Sequence, residues 1–470
     1  MIDPKTGVLL IFIFSFILIL SEKLHRTIAA WLGCILMLFI GHTTDVFHLH
    51  KVYDNAGDLI KTYSLEHTML GWIEFEVIGL LLGMMVFAAL LEVSGFFEYV
   101  AIKASKMSKG DPWRLIVYLG TLTTVLSLVI DNVTAIIIIA PITLRICQKM
   151  EINPIPPLLA EAILSDTGGV ASMVGDPPNV MIAAASHDVG LEHIFGFNGF
   201  LLRLGILTFF AWVITLGYMR WYYRDWIDEK PASVESLLEE DEWDAIDDKN
   251  LMKSTLIILL LTVISFSLTE FLHLGVEIHA IALAGAGLAL VFARPNLPDN
   301  EHNEGFIHDV MGRIEWQALL FFAGLFILVG AVGNVGYLES LAVWIFDSFG
   351  SNQVMLAVAV IWVSAIASAI IDNIPFTAAM IPVIISIGEA NPEVDIAPLF
   401  WALAMGAGFG GNATPIGSSA NVMTVAISER GPRPITTREW IRVGLPVMFL
   451  TCIVATIFII LFHGVLYSSI

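Results

Sequence analysis

Uninterrupted apolar runs recur along the entire chain, and they limit what it can fold into more than any other feature. They cover residues 8–20, 28–40, 77–91, 201–216, 255–268, 318–332 and 446–462. With their flanks they approach the roughly 20 residues a helix needs to cross a bilayer. A soluble core of this length would need far more surface charge than the 14% Asp, Glu, Lys and Arg found here. A transmembrane β-barrel would instead show short alternating segments. The runs therefore predict an all-α polytopic membrane protein. The first residues lack the basic stretch and cleavage site of a secretory signal, so residues 8–21 are read as a retained helix.

The chain is also duplicated. Ile73-Glu74 recurs as Ile314-Glu315, Gly83 as Gly324, Asp131-Asn132 as Asp372-Asn373, and Pro141 as Pro382, each 241 residues later. Gly168-Gly169, Gly175 and Asn179 recur as Gly410-Gly411, Gly417 and Asn421, now at an offset of 242. A near-constant offset sustained over more than 100 residues marks an internal repeat.

Placement of Lys and Arg gives a topology, because cytoplasmic loops carry the excess of positive charge. With residues 22–26 cytoplasmic, the first helix runs inward, residues 27–41 outward and residues 72–93 inward. Lys103, Lys106, Lys109 and Arg114 then fall inside. Residues 115–144 have basic residues on both flanks, which predicts a re-entrant hairpin entering from the cytoplasm. A broken helix (157–185) and a returning helix (200–219) complete five crossings plus one hairpin. That odd number inverts the second half, whose hairpin (354–386) has no basic flank and enters from outside. Of the 23 basic residues, this arrangement leaves only Lys5, Lys51, Lys61 and Arg203 outside.

Unwound backbone at membrane depth is tolerated only where it is buried in protein or lines a cavity. Each repeat has two such places. One is the hairpin tip, around Asp131-Asn132-Val-Thr134 and Asp372-Asn373-Ile-Pro-Phe-Thr377. The other is a glycine-rich break: Ser165-Asp166-Thr167-Gly168-Gly169 continuing to Gly175-Asp176-Pro-Pro-Asn179, and Gly408-Phe-Gly410-Gly411-Asn412-Ala-Thr414 continuing to Gly417-Ser418-Ser-Ala-Asn421. Discontinuous helices meeting at the midplane are how inverted-repeat transporters build substrate sites. Asp131, Asp166, Asp176 and Asp372 all fall at these breaks, where an acidic side chain is costly and points to function. Each also suits an N-cap of the following half-helix. No Lys or Arg lies within the four segments, and oxygen-rich acidic surroundings favour Na⁺ or H⁺.

Other features are bland. Cys34, Cys147 and Cys452 show no ligand spacing and read as small membrane-core residues. His42, His48, His50 and His67 read as ordinary loop histidines. Much of the net charge of −21 sits in residues 225–249, read as a solvated linker. No nucleophile–base pair, cofactor signature or ATP-binding motif is present, so an enzyme is not expected, and nothing resembles a nucleic-acid surface.

At these motifs the chain resembles the ion transporter superfamily that includes the arsenite-pump membrane subunit (ArsB), NhaD-type sodium/proton antiporters and citrate/dicarboxylate carriers. Within it the likeness is strongest to the branch of the melanosomal P protein (pink-eyed dilution). It covers residues 74–186 and 315–461, through Leu81-Leu-Gly-Met-Met85, Ser94-Gly-Phe-Phe-Glu-Tyr99, Asp131-Asn-Val-Thr134, Gly175-Asp-Pro-Pro-Asn-Val180, Ile371-Asp-Asn-Ile-Pro-Phe-Thr-Ala378 and Gly410-Gly-Asn-Ala-Thr414. The resemblance implies a homodimer in which a fixed scaffold carries a mobile transport domain as an elevator, with substrate among both tips and both breaks. Dicarboxylate carriers have Ser-Asn-Thr at the tips where this chain has Asp-Asn-Val-Thr and Asp-Asn-Ile-Pro. NhaD-type antiporters differ around Gly175-Asp-Pro-Pro-Asn179.

The resulting expectation is two inverted repeats of five transmembrane helices plus one re-entrant hairpin each. Residues 1–100 and 251–350 form the scaffold, 101–224 and 351–470 the transport parts, and 225–250 an acidic cytoplasmic linker. The N-terminus lies outside a plasma or inner membrane. The expected activity is Na⁺- or H⁺-coupled exchange, with an anion, carboxylate or arsenite transporter, or a channel, as the alternative. Asp131, Asn132, Asp372 and Asn373 would ligate the coupling ion, with Na⁺ as the candidate metal. Thr134, Asn179, Thr377, Asn412, Thr414, Ser418 and Asn421 would assist. Gly168, Gly169, Gly410 and Gly411 would let the backbone approach, and Asp166 and Asp176 are the proton-carrier candidates.

Overall fold

The computed structural model describes residues 3–469 apart from 22, 54–58, 229–230, 232–240, 293–299 and 350–351. Glu22 and part of the acidic stretch, residues 229–230 and 232–240, thus lie outside the described residues. Among those described, eight helices are long and apolar enough to cross a membrane. The chain is a multi-pass integral membrane protein.

The fold is nearly all-helical, with one departure from the all-α expectation. Lys51–Tyr53 and Leu59–Thr62 form a short antiparallel pair. The sequence between them, Asp54-Asn-Ala-Gly57, is turn-forming, and β-branched and aromatic residues flank it. A second surprise is a pair of short helices, Phe96–Ser108 and Tyr337–Phe349, in segments with no long apolar run. In the first, Phe97, Ala101, Ile102, Ser105 and Ser108 are buried, a spacing that gives one inward stripe on an otherwise polar helix.

The order of elements repeats. Pro4–Ser21, Arg26–Thr44 and Phe75–Val93 correspond to Lys249–Leu272, Ile278–Phe292 and Trp316–Asn334. The expected hairpins are Pro112–Ser127 with Asn132–Met150, and Gln353–Ser368 with Asn373–Ala390. The expected broken helices are Ile155–Gly169 with Pro177–Asp188, and Ala397–Gly411 with Ser419–Ser428. Every residue of Ile155–Gly169 and of Ala397–Gly411 is buried, so these two form the centre of the molecule. The flanking helices Phe197–Tyr222 and Thr437–Phe462 expose Leu202, Phe209, Ile460 and Leu461, as a lipid-facing surface requires.

Partners are exchanged between the halves. Phe75–Val93 packs on Ile278–Phe292, and its counterpart Trp316–Asn334 packs on Arg26–Thr44. Asn132–Met150 crosses to Ser419–Ser428, while Asn373–Ala390 crosses to Pro177–Asp188. The acidic stretch is not wholly solvated. Its described end docks on Phe96–Ser108, where Lys106 Nζ lies 2.6 Å from Glu242 Oε2 and that hydrogen bond holds the Glu242 carboxyl below its ordinary pKa.

The repeated glycines explain the close crossings. A Cβ on Gly83 would stand 2.8 Å from the Ala282 backbone, and one on Gly324 would stand 3.1 Å from Ala30 Cβ. Gly83→Val is expected to wedge the crossing apart at a cost of about 2 kcal/mol or more, whereas Gly324→Ala should cost under about 1 kcal/mol. Thermal unfolding of both variants in detergent checks this, and equal melting temperatures would contradict it.

Candidate ion-binding site

The hairpin tips are built by capping. Asp131 accepts from the Thr134 amide at 2.9 Å and from the Thr134 hydroxyl at 2.6 Å. Asp372 accepts from the Ile374 amide at 3.1 Å. Both therefore N-cap the returning arm of their hairpin and hold its amide dipoles toward the tip. Asp176 precedes Pro177 but makes no side-chain cap, so its carboxylate is directed elsewhere.

The second arms cross into the breaks. Asn132 Nδ2 donates to Asp166 Oδ1 at 2.9 Å, and Asn373 Nδ2 donates to Asp176 Oδ1 at 3.2 Å. The Ser418 hydroxyl donates to Asp166 Oδ1 at 3.1 Å, and Asn412 Nδ2 donates to the Thr167 hydroxyl at 3.1 Å. Residues from both tips and both breaks thus meet, as the sequence pattern implies. The glycines permit this: a Cβ on Gly175 would stand 2.0 Å from the Ser127 carbonyl, and one on Gly417 would stand 2.8 Å from the Ser368 carbonyl.

Several expected ligands also act as stitches, although the side-chain oxygens of Asn179 and Asn421 stay buried without a protein partner among the described residues. Asn179 Nδ2 bonds the carbonyls of Val170 and Ser172 at 3.2 and 2.9 Å, and Asn421 Nδ2 bonds those of Gly411 and Thr414 at 2.8 and 3.1 Å. They satisfy carbonyls released by the unwinding. The Thr414 hydroxyl is used on the Ala369 carbonyl at 2.6 Å, and the Asn412 carbonyl is held by Trp440 Nε1 at 3.0 Å. The acceptor oxygens Asp166 Oδ2 and Asn412 Oδ1, with the hydroxyls of Ser165 and Thr377, are buried without a protein partner among the described residues. Such an oxygen-rich set fits Na⁺ or a proton. Asp131, Asp166 and Asp372 all lie within electrostatic reach of Asp176.

Two charged residues near the site escaped the sequence reading. Arg26, from the start of an N-terminal helix, reaches the second tip. Its Nη1 lies 3.5 Å from Asp372 Oδ2 and bonds Ser419, whose hydroxyl also donates to Asp372 at 2.5 Å. The guanidinium rests over the Phe321 ring, 5.3 Å from its centroid. The motif segments are free of basic residues, but the folded site is not. A cavity of about 830 Å³, lined by Arg26, Glu92, Arg313, Glu315, Asp372 and Ser419, leads to this tip. Glu161 is the other. It is fully buried in Ile155–Gly169, accepts from the Thr143 hydroxyl, and leaves Oε2 unpartnered among the described residues. Its setting, Pro-Pro-Leu-Leu-Ala-Glu-Ala-Ile-Leu, carries the signal of an intramembrane acid. Arg26 carries no such signal, since it reads as an ordinary basic flank.

Known proteins share this architecture. The family model described as citrate transporter (CitMHS) matches residues 16–406. A 46 kDa membrane protein of Mycobacterium leprae is 34% identical over 96% of this chain and 96% of its own length. An uncharacterized transporter of Mycobacterium tuberculosis (strain H37Rv) is 33% identical over 96% of each chain. The P protein of Homo sapiens is 31% identical over 95% of this chain, which spans 59% of that protein. In three dimensions the chain is similar to the YdaH transporter of Alcanivorax borkumensis, with a TM-score of 0.61 at 16% identity, covering 95% of this chain and all of that one.

Ser418 joins the halves of the site, since it bonds Asp166 and caps its own half-helix at the Ala420 amide. Ser418→Ala is expected to lower stability by about 2 kcal/mol, the sum of a lost cap and a lost bond to a carboxylate. Ser418→Thr should retain most of it. Melting curves of the two variants provide the check.

Proposed function

The chain belongs to the citrate transporter family of membrane transporters, and we propose that it works as a secondary active ion exchanger driven by Na⁺ or H⁺. One observation carries the reading. Asp131, Asp166 and Asp176 are buried beside the partly buried Asp372, and among the described residues the one cation paired with any of them is Arg26, on Asp372. Like charges that close in a low-dielectric interior need compensation. A bound cation or proton at Asp166 and Asp176 supplies it, and its release and rebinding on the two sides of the membrane would be the coupling step.

The pattern of packing supports an elevator acting on inverted repeats, and the homodimer is part of the same proposal. The hairpins and broken helices interlock with one another across the repeats. They meet Phe75–Val93 and Trp316–Asn334 only sparsely. A transport body of this kind can slide against a scaffold without losing much buried area. In this reading Arg26 is a tethered counter-ion that occupies Asp372 in the captured state and yields to the travelling cation.

Arg26 also favours a second reading. With Arg313 it offers the large cavity two guanidinium groups, paired with Asp372 and Glu92, that a carboxylate substrate could engage by displacing those partners, and the family description names citrate. The two readings separate in proteoliposomes loaded with a pH dye and given Na⁺, Li⁺, K⁺, citrate or arsenite in turn. Cation exchange predicts cation-driven proton efflux that falls at least about tenfold in Asp166→Asn and in Asp176→Asn. Flux elicited only by an anion would overturn it. Arg26→Gln adds a sign test. Removing the tethered counter-ion should lower the cation concentration for half-maximal flux in an exchanger. It should abolish uptake in a carboxylate carrier.

A further inference from the structure

A second cavity, of about 280 Å³, lies at the far end of Phe75–Val93. Glu92, near one end of that helix, lines the Arg26 cavity, while Glu76, near the other, lines this one. The 16 intervening steps separate them by about 24 Å along the axis, so the cavities belong to opposite sides of the membrane.

Three donors face one another here, and a fourth lies beside one of them. Glu76, Glu277 and His279 each offer a ligand atom, and these lie within 4.8 Å of one another. His187 Nε2 lies 3.7 Å from Glu277 Oε2. The four come from three separate elements. Glu76 is in the first turn of Phe75–Val93, His187 in the last turn of Pro177–Asp188, and Glu277 and His279 at the start of Ile278–Phe292. His279 packs on Phe75–Val93 about one turn beyond Glu76, where a Cβ on Gly79 would lie in ordinary contact with it, 3.6 Å from His279 Cβ.

Two carboxylates held together repel unless a cation lies between them. Two imidazoles completing the set distinguish it from a merely acidic patch, and they select the metal. Mixed imidazole–carboxylate donors suit Zn²⁺, whereas Ca²⁺ and Mg²⁺ take oxygen. Zinc bonds of about 2.0–2.2 Å place tetrahedral ligand atoms about 3.4 Å apart, within a short rotamer adjustment of the separations seen.

We propose that Glu76, Glu277 and His279, with His187 as fourth ligand, form a Zn²⁺ site on the face opposite the Arg26 cavity. Its geometry has a consequence for the rest of the molecule. The half-helix that ends at His187 begins beside Asp176, so zinc would tie the element carrying that carboxylate to Phe75–Val93 and Ile278–Phe292. The site itself does not depend on which ion the protein transports.

The test uses the full chain in lipid nanodiscs, stripped with chelator and titrated with ZnCl₂ by calorimetry, with melting temperature followed in parallel. Wild type should bind one zinc per chain and melt higher with zinc than without. The Glu277→Gln/His279→Asn variant should bind at least about tenfold more weakly and lose the zinc-dependent rise, and His187→Asn should fall between. Matching zinc-free melting temperatures and gel-filtration profiles establish that the variants fold. If one does not, Glu76→Gln takes its place. Wild-type stoichiometry and affinity in the double variant, or no binding by wild type, would overturn the proposal.

Discussion

The structure depends on how backbone freed inside a membrane is satisfied. A broken helix releases amides and carbonyls where water is scarce, and each unsatisfied group costs several kcal/mol. Here the asparagine two residues into each second half-helix reaches back with its amide to carbonyls at the end of the first and in the break, Asn179 to Val170 and Ser172, and Asn421 to Gly411 and Thr414. A carbonyl at the second hairpin turn has a partner too, because the Thr414 hydroxyl donates to that of Ala369. Once these bonds are made, the tips can approach the breaks. Both first half-helices can then be buried along their whole length.

Much of this was legible in the chain. Helix-length apolar runs gave the class, and the offset of 241 to 242 residues gave the repeat. Glycine, proline and Asp-Asn pairs marked the discontinuities to within a few residues. These signals are local, set by hydropathy and backbone chemistry. What stayed hidden was long-range. Arg26 and Asp372 are 346 residues apart, and nothing near Arg26 distinguishes it from a residue that merely marks the cytoplasmic side. The roles of the four aspartates were hidden as well. All four precede or interrupt a half-helix, so composition does not separate caps from free carboxylates. The fold assigns the cap to Asp131 and Asp372 and leaves Asp176 uncapped.

The short helices Phe96–Ser108 and Tyr337–Phe349 were missed for a related reason. Their apolar residues form a stripe rather than a run, so a search for membrane-spanning length passes over them. In the chain they stand between the long helices Phe75–Val93 and Trp316–Asn334 and the two hairpins.

Duplication also settles how four acidic positions coexist at one centre. Under the 242-residue offset Asp166 corresponds to Gly408, and Asp176 to Ser418. In the fold these positions meet crosswise. The Ser418 hydroxyl bonds Asp166, and a Cβ on Gly408 would stand 3.2 Å from Asp176 Oδ2. Each carboxylate of the first repeat therefore faces a small neutral residue of the second. Had both repeats kept aspartate at both positions, two carboxylates would face each other at each crossing, and like-charge repulsion would open the interlock. The backbone of the repeat is shared and so is the aspartate at each tip, but the charge at the breaks is not. That division places an acid opposite a hydroxyl on one side and opposite a glycine on the other. It gives a nearly symmetric scaffold two chemically different half-sites.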